Sequence, residues 1–234
     1  DHAMASLGES KVLLFGGGAN GHLFHSANTW IFNQKTSYWI EVKTTSSPSP
    51  SSRDSFAMAL LEESSNVILF GGSDGSTNLK DTWVFNQTDW IEIHPASPPS
   101  PRRSHAMASI GKSNNLVLFG GYDKTKFFQD TWIFNQSISD WIKIYPASSP
   151  PARKYHAMAS LGDIQKVVLF GGSDGTQTLQ DTWIFDSATT NWKEMMIISP
   201  PGRGQHEMAS MGNTAVMYGG VGNNNAFFDD TWLF

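Results

Sequence analysis

The sequence repeats itself about every 50 residues, which limits the chain to architectures built from several copies of one unit. Each unit contains a glycine pair followed by Thr-Trp, and four units add a second tryptophan. All nine tryptophans belong to this repeat, so none is left over as a special ligand-stacking residue. The repeated residues are the pairs Gly16-Gly17, Gly71-Gly72, Gly120-Gly121, Gly171-Gly172 and Gly219-Gly220, the pairs Thr29-Trp30, Thr82-Trp83, Thr131-Trp132, Thr182-Trp183 and Thr231-Trp232, and the later Trp39, Trp90, Trp141 and Trp192.

The third unit shows which secondary structure the repeat favours. Residues 105–108 alternate large and small side chains, and residues 116–119 form a short continuous apolar run. Residues 132–134 are aromatic and β-branched, as on a pleated surface. Residues 141–144 alternate again and carry a charge, which is typical of an edge strand. Each unit therefore predicts four antiparallel strands, and no helical period is sustained.

The order of these features resembles that of kelch-repeat proteins. The third unit reads Arg103-Ser104-His105, then an apolar run ending in Gly120-Gly121, then an aromatic strand and Trp141. The resemblance covers the whole chain. The chain differs from the family at the residue after the aromatic strand, where the family often has aspartate. This residue is asparagine in three units (Asn33, Asn86 and Asn135), and only the fourth unit has aspartate, at Asp186. The resemblance implies an all-β, kelch-type β-propeller whose blades of four antiparallel strands are arranged radially.

We expect one propeller domain over residues 1–234, with repeats at approximately 1–50, 51–100, 101–150, 151–200 and 201–234. His2 aligns with His105 and Phe234 aligns with Phe185, so the last unit lacks its outer strand. This alignment favours a five-bladed ring whose last blade has three strands, because the chain covers four and three-quarter units. The alternative is part of a six- or seven-bladed propeller.

Composition excludes several classes of partner. The net charge is −5 and no basic run occurs, so we expect no nucleic-acid partner. No apolar stretch approaches the ~18 residues of a membrane-spanning helix, so no transmembrane segment is expected. The absence of cysteine excludes disulfides and cysteine nucleophiles. Few charges together with abundant Ser, Thr and Asn favour a secreted or cell-surface setting, although the compartment is otherwise unknown.

A recurring arginine just before the first strand is the first candidate for ligand binding. The resemblance implies that this position lies near the mouth of the central channel, where arginines would attract carboxylate, sulfate or phosphate groups. The alternative is a structural hydrogen bond or salt bridge to a neighbouring loop. The residues assigned to this series are Arg53, Arg103, Arg153 and Arg203.

Aromatic residues in the variable loops after the glycine pairs are the second candidate. Phe127 and Phe227 are predicted to be exposed, and Tyr122, Phe127 and Phe227 are predicted to bind a ligand, because variable loops on a rigid scaffold commonly carry recognition. Simple loop packing is the alternative. Phe128 and Phe228 align with leucines of other units and are predicted to be buried.

Two other recurring side chains have structural interpretations. A histidine recurs at the start of the first strand and is predicted to pack in the core, because the second unit has Phe56 there. An aspartate precedes most Thr-Trp pairs and is predicted to accept backbone N–H bonds. These residues are His2, His105, His156 and His206, and Asp81, Asp130, Asp181 and Asp230.

The near-interchangeable units disfavour catalysis, because an active site needs different residues in different roles. We therefore expect no enzyme activity, no cofactor and no metal ion. The preferred interpretation is a scaffold that recognises a protein or glycan over one loop face. One alternative is a structural component of a cell-surface or filament assembly that self-assembles through the open edge of the last blade. A less favoured one is a kelch enzyme of the sialic-acid epimerase type.

Overall fold

Each repeat unit forms one small antiparallel sheet in the computed structural model, which describes residues 2–8, 10–19, 24–43 and 48–234. Blade 1 contains β1 (Ala3–Gly8), β2 (Lys11–Phe15), the separate hairpin of β3 (Gly18–Ala19) and β4 (Phe24–His25), β5 (Thr29–Asn33) and β6 (Tyr38–Glu41). Blade 2 contains β7 (Ala57–Leu61), β8 (Asn66–Phe70), β9 (Thr82–Phe85) and β10 (Trp90–Ile93). Blade 3 contains β11 (Ala106–Ser109), β12 (Asn115–Phe119), β13 (Thr131–Asn135) and β14 (Asp140–Ile144).

Blade 4 contains β15 (Ala157–Ser160), β16 (Lys166–Phe170), β17 (Thr182–Asp186) and β18 (Asn191–Met195). Blade 5 contains β19 (Glu207–Met211), β20 (Thr214–Tyr218) and β21 (Thr231–Leu233). Two 3₁₀ helices, Gly162–Ile164 and Asn223–Asn225, lie in connections. No helix in the described ranges is long and apolar enough to cross a membrane.

The strands of each blade pair in chain order, from an inner to an outer strand. In blade 3, for example, Ala106 of β11 lies opposite Phe119 of β12, and Phe134 of β13 lies opposite Trp141 of β14. Blade 5 has three strands and lacks the outer one. The all-β, five-bladed propeller and its incomplete last blade are therefore confirmed.

The inner strands pack side by side around a central channel. Contacts join β1 with β7, β7 with β11, β11 with β15 and β15 with β19. The predicted alternation of bulky and small residues produces this packing, because Met107 lies in one cluster with Ala57 and Ala59 of the preceding blade. Residues of all five inner strands line a cavity of about 650 Å³.

The core consists of apolar clusters that each join two neighbouring blades, because no sheet of this size can bury both faces by itself. Four such clusters join blades 1 and 2, 2 and 3, 3 and 4, and 4 and 5. Trp90, Trp141 and Trp192 are almost fully buried in them. Burial of one large apolar side chain contributes about 1.5–3 kcal/mol, so each of these tryptophans contributes substantially to the stability.

The glycine pairs are required by the backbone. Gly72 has φ of +96°, and a Cβ atom there would lie 2.6 Å from the Asp54 carbonyl oxygen. Both the positive φ and the close approach exclude a side chain. The structural interpretation of the glycine pairs is confirmed.

Candidate binding face

One face of the propeller carries the loops that follow the glycine pairs. The inner strand of each blade begins where the second strand ends, so the segments before the inner strands and those after the glycine pairs lie at the same end of the sheets. We call this end the Gly-Gly face. It also surrounds one mouth of the channel, where the backbone N–H of Tyr155 donates to the Ser104 carbonyl oxygen of the neighbouring blade.

The recurring arginines lie beneath this face and are buried. Arg153 donates to both carboxylate oxygens of Asp181, at 2.7 and 2.6 Å, and to the carbonyl oxygens of Gly171 and Pro151. The indole of Trp183 donates to the same carboxylate at 2.6 Å. Burial acts to raise the pKa of Asp181, but the bonds from Arg153 hold it below its ordinary value. The equivalent pairs are Arg53–Asp81, Arg102–Asp130 and Arg203–Asp230.

Two sequence interpretations change as a result. The aspartates take guanidinium and indole donors, whereas the sequence suggested backbone donors. Arg53, Arg153 and Arg203 are at most 1% exposed, and their donors are engaged inside the blade, so they have no surface to offer a ligand. The structural alternative describes these three residues better than the ligand-binding one.

Arg103 does not belong to this series. The buried member in blade 3 is its neighbour Arg102, whose guanidinium pairs with Asp130 and lies 4.1 Å from the centre of the Phe128 ring. Successive side chains of an extended segment point in opposite directions, so Arg103 is directed to the surface and is partly exposed.

Three residues of each blade are held together on the Gly-Gly face by isolated β-bridges. One precedes the inner strand and two lie in the loop after the glycine pair, and we call them the surface triplet of the blade. The bridges are the same in every blade from 2 to 5, while the side chains differ. The triplets are Asp54, Ser73 and Asn78 in blade 2; Arg103, Tyr122 and Phe127 in blade 3; Lys154, Ser173 and Thr178 in blade 4; and Gly204, Val221 and Phe227 in blade 5.

The triplet of blade 3 unites three of the predicted ligand-binding residues. The rings of Tyr122 and Phe127 lie 5.0 Å apart, and the Arg103 guanidinium lies 5.8 Å from the centre of the Tyr122 ring. The Tyr122 hydroxyl donates to the Lys124 carbonyl oxygen at 2.7 Å, which fixes the ring. Phe127 also lies against blade 4, since a Cβ atom on Gly175 would be 2.7 Å from its ring.

Lys154 of blade 4 completes this cluster, and the sequence reasoning did not select it. Its ammonium lies 4.7 Å from the centre of the Tyr122 ring, 5.4 Å from that of Phe127 and 4.9 Å from that of Tyr155. Burial and the positive charge of Arg103 lower its pKa. Within the described ranges, neither Arg103 nor Lys154 has a carboxylate in salt-bridge distance. Lys154 follows the buried Arg153 directly, as Arg103 follows the buried Arg102. The two residues therefore occupy equivalent positions, and this equivalence is visible in the sequence.

The remaining predicted aromatic lies in blade 5. Phe227 is 82% exposed, as predicted, whereas Phe127 is only partly exposed because it packs on its neighbours. Phe128 is buried as predicted, and Phe228 is partly buried with the Arg203 guanidinium 3.8 Å above its ring.

The histidines of the inner strands face the core. His105, His156 and His206 are buried, with their rings 5.5–5.6 Å from phenylalanines of the preceding blade, which confirms the packing role for these three. His2 is exposed instead. The part of the chain that the structure describes contains no group of three or more acidic or histidine side chains placed to hold a metal ion.

Comparison with known proteins gives one family and several partial relatives. The family model described as the KLHDC2/KLHL20/DRC7 Kelch-repeats domain matches residues 92–234. An F-box/kelch-repeat protein of Arabidopsis thaliana is 33% identical over 107 residues, which are 42% of this chain and 22% of that protein. The flagellar outer-arm dynein alpha chain of Chlamydomonas reinhardtii is 27% identical over 95 residues, 40% of this chain and 2% of that one.

An adagio-like protein 2 of Oryza sativa subsp. japonica is 30% identical over 98 residues, 40% of this chain and 15% of that protein. The matched part therefore spans less than a quarter of the length of each of these relatives.

Proposed function

Because the chain belongs to the kelch-repeat family, we propose that it is a non-catalytic scaffold that binds a protein partner through the Gly-Gly face of blades 3 and 4. Kelch repeats suggest a protein-interaction propeller, and the location of the site on this propeller is our own inference. The observation that carries it is the cluster of Arg103, Tyr122, Phe127, Lys154 and Tyr155, which brings two cations and three aromatic rings together on this face.

The surface triplets support this location because they combine a repeated backbone arrangement with side chains that vary from blade to blade. The bridges that hold the triplets recur from blade to blade, whereas the side chains that they carry differ in size, charge and burial. Blade 2 uses serine and asparagine where blade 3 uses tyrosine and phenylalanine. Arginine and tyrosine are enriched among residues that dominate binding energy in protein interfaces. Blade 3 therefore has side chains typical of a binding site at positions where blade 2 has small or polar ones.

The electrostatics of the cluster favour an acidic partner segment. Lys154 is partly withdrawn from water beside a second cation, and a carboxylate from a partner would relieve this repulsion. The stacked rings of Tyr122 and Phe127 offer an apolar surface next to both charges. We expect a partner segment that presents a carboxylate beside an apolar side chain, joined to the cluster by charge-assisted hydrogen bonds and ring contacts.

Replacing the triplet of blade 3 by that of blade 4 gives a test that preserves the fold. The variant R103K/Y122S/F127T keeps the positive charge and introduces residues that the same bridges accept in blade 4. We expect the Kd for an acidic peptide selected on the unmodified protein from a displayed random library to rise by at least about 30-fold, since such residues contribute about 2 kcal/mol or more. Fluorescence anisotropy of the labelled peptide measures the Kd.

A second variant and a control complete this experiment. R103D/Y122S/F127N carries the triplet of blade 2 and reverses the charge, so we expect it to weaken binding further. Ile138→Ser removes a side chain that is 60% exposed at the opposite end of the blade and should leave the Kd unchanged. An unchanged Kd in both triplet variants, with circular dichroism like that of the unmodified protein, would show that the site lies elsewhere.

The other functions considered from sequence have less support. The cluster on blades 3 and 4 supports neither a glycan ligand, nor a role in a cell-surface or filament assembly, nor an epimerase activity. Phe227 lies on the same face and stays a predicted ligand-binding residue, which the single variant Phe227→Ala would test in the same assay.

A further inference from the structure

The ammonium group of Lys154 is partly removed from water without receiving a counter-ion. It lies 4.7 Å from the centre of the Tyr122 ring, 4.9 Å from that of Tyr155 and 5.4 Å from that of Phe127. In the described part of the chain, no carboxylate or other hydrogen-bond acceptor is placed to pair with it. The ring faces return some of the attraction that water would give, but they do not replace the hydrogen bonds of water.

A second cation approaches the same rings. The Arg103 guanidinium lies 5.8 Å from the centre of the Tyr122 ring that Lys154 also contacts. Burial, followed by the positive charge of Arg103, lowers the pKa of Lys154. Among the described residues, the other titratable groups that face it are the hydroxyls of Tyr122 and Tyr155, since its chain neighbour Arg153 is ion-paired inside the blade. At neutral pH the free amine is therefore more populated than in an ordinary lysine.

The amine of Lys154 is also accessible. The side chain is partly exposed on the Gly-Gly face, in the segment before β15. The equivalent residues of the other triplets are Asp54, Arg103 and Gly204, so blade 4 alone among blades 2 to 5 has a lysine at this position. A lysine that is desolvated by apolar neighbours and lies next to another cation is an activated nucleophile. Lys154 combines both conditions with contact to solvent.

We propose that the Lys154 amine is a covalent modification site that accepts acyl groups from thioesters. The free amine attacks the thioester carbonyl carbon, the C–N bond of an amide forms as the C–S bond breaks, the thiol leaves, and the nitrogen loses its proton to water. Acylation removes the positive charge of Lys154 and with it the repulsion from Arg103. The proposal goes beyond the binding function above and does not depend on it, because the reactivity comes from residues of this chain alone.

Competitive acetylation of the whole protein tests this proposal. The probe is the acetyl thioester of N-acetylcysteamine, which is small and uncharged, so electrostatic attraction favours no particular lysine. Lys112 is the control, because its exposed ammonium bonds to Asp163 at 2.8 Å and this bond raises its pKa. Lys35 is a second, exposed reference. Mass spectrometry of peptides from the briefly treated protein gives the acetylation rate of each lysine.

We expect Lys154 to be acetylated at least about threefold faster than Lys112 at pH 7.5. A pKa lower by one gives about ten times more free amine, and the weaker base gives back only part of that gain. Lys154 should also react faster than Lys35. The ratio of the Lys154 rate to the Lys112 rate should decrease as the pH is raised to 10, because the difference in protonation becomes smaller. A ratio above one that does not change with pH would contradict the proposal, since better access alone would explain it.

Replacement of Arg103 tests the cause of the reactivity. Arg103→Gln removes the second cation and should slow acetylation of Lys154 at pH 7.5 by at least about twofold, whereas Arg103→Lys keeps the charge and should preserve the rate. Circular dichroism shows that both variants are folded. If Lys112 or Lys35 is acetylated as fast as Lys154, or if Arg103→Gln leaves the rate at Lys154 unchanged, the proposal is wrong.

Discussion

Replacing Asp181 by alanine lowers the free energy of unfolding by about 3–5 kcal/mol, because it leaves a buried guanidinium without its counter-charge. Arg153 is fully buried and donates twice to this carboxylate, which also accepts the indole N–H of Trp183. The pair therefore ties the segment before the inner strand to the start of the third strand. Urea unfolding followed by circular dichroism measures the loss.

Two further variants show whether the loss comes from the unpaired charge. Asp163→Ala breaks an exposed ion pair with Lys112 and should change the stability little. The double variant Arg153→Met and Asp181→Leu removes both charges and should be more stable than Asp181→Ala alone. If Asp181→Ala and Asp163→Ala have equal stability, the buried pair does not hold the blade together.

Acidification below about pH 6.5 destabilises the protein, and the buried histidines cause the first part of this loss. Burial, together with the charge of Arg102, lowers the pKa of His105 to about 3, and burial and Arg203 lower that of His206 to about 4. Below pH 6.5 these histidines bind protons in the unfolded chain but not in the folded chain. The free energy of unfolding therefore decreases as the pH is lowered. Each such histidine costs about 1.4 kcal/mol per pH unit until its folded pKa is reached.

The variant His105→Phe isolates one of these contributions. Blade 2 already has Phe56 at this position, so the fold accepts the ring. Urea unfolding at pH 7, 5.5 and 4.5 should show a shallower pH dependence for His105→Phe, whereas His94→Gln, which changes an exposed side chain, should keep the original one. Equal pH dependence in His105→Phe and the unmodified protein would contradict the role of the buried ring.

Most of the fold could be predicted from the sequence because the repeat specifies it redundantly. The glycine pairs mark positions where backbone from another segment leaves no room for a Cβ atom, and the Met-Ala alternation of the inner strands matches the packing of one blade on the next. The missing outer strand of blade 5 follows from alignment of the units. Each of these signals is local and occurs several times, so one irregular copy does not obscure it.

The site was harder to predict because two adjacent arginines compete for one position in blade 3. Arg102 occupies the buried position, and its separation of 28 residues from Asp130 equals that of Arg53 from Asp81 and of Arg153 from Asp181. That spacing identifies the buried series, but only once the aspartate is recognised as its partner. The register of Lys154 after Arg153 is visible in the sequence, but its contact with Tyr122 joins two blades and only the structure shows it.

The exposure of Trp39 lies beyond what the repeat can show. Trp39 and Trp90 are equivalent in sequence, and only the structure reveals that one is exposed while the other donates to Thr29. Equivalence of position therefore does not imply equivalence of environment at the ends of a repeat array.

The central claim is that repeated residues build the scaffold while the surface triplet of blade 3 and the adjoining Lys154 bind the partner. Hydrogen–deuterium exchange of the protein, with and without the selected acidic peptide, tests it without any substitution. The peptide should slow exchange in residues 121–128 and 154–155 and leave the opposite hairpins at residues 111–114 and 136–139 unchanged. Slower exchange in those hairpins, with none on the Gly-Gly face, would contradict the claim.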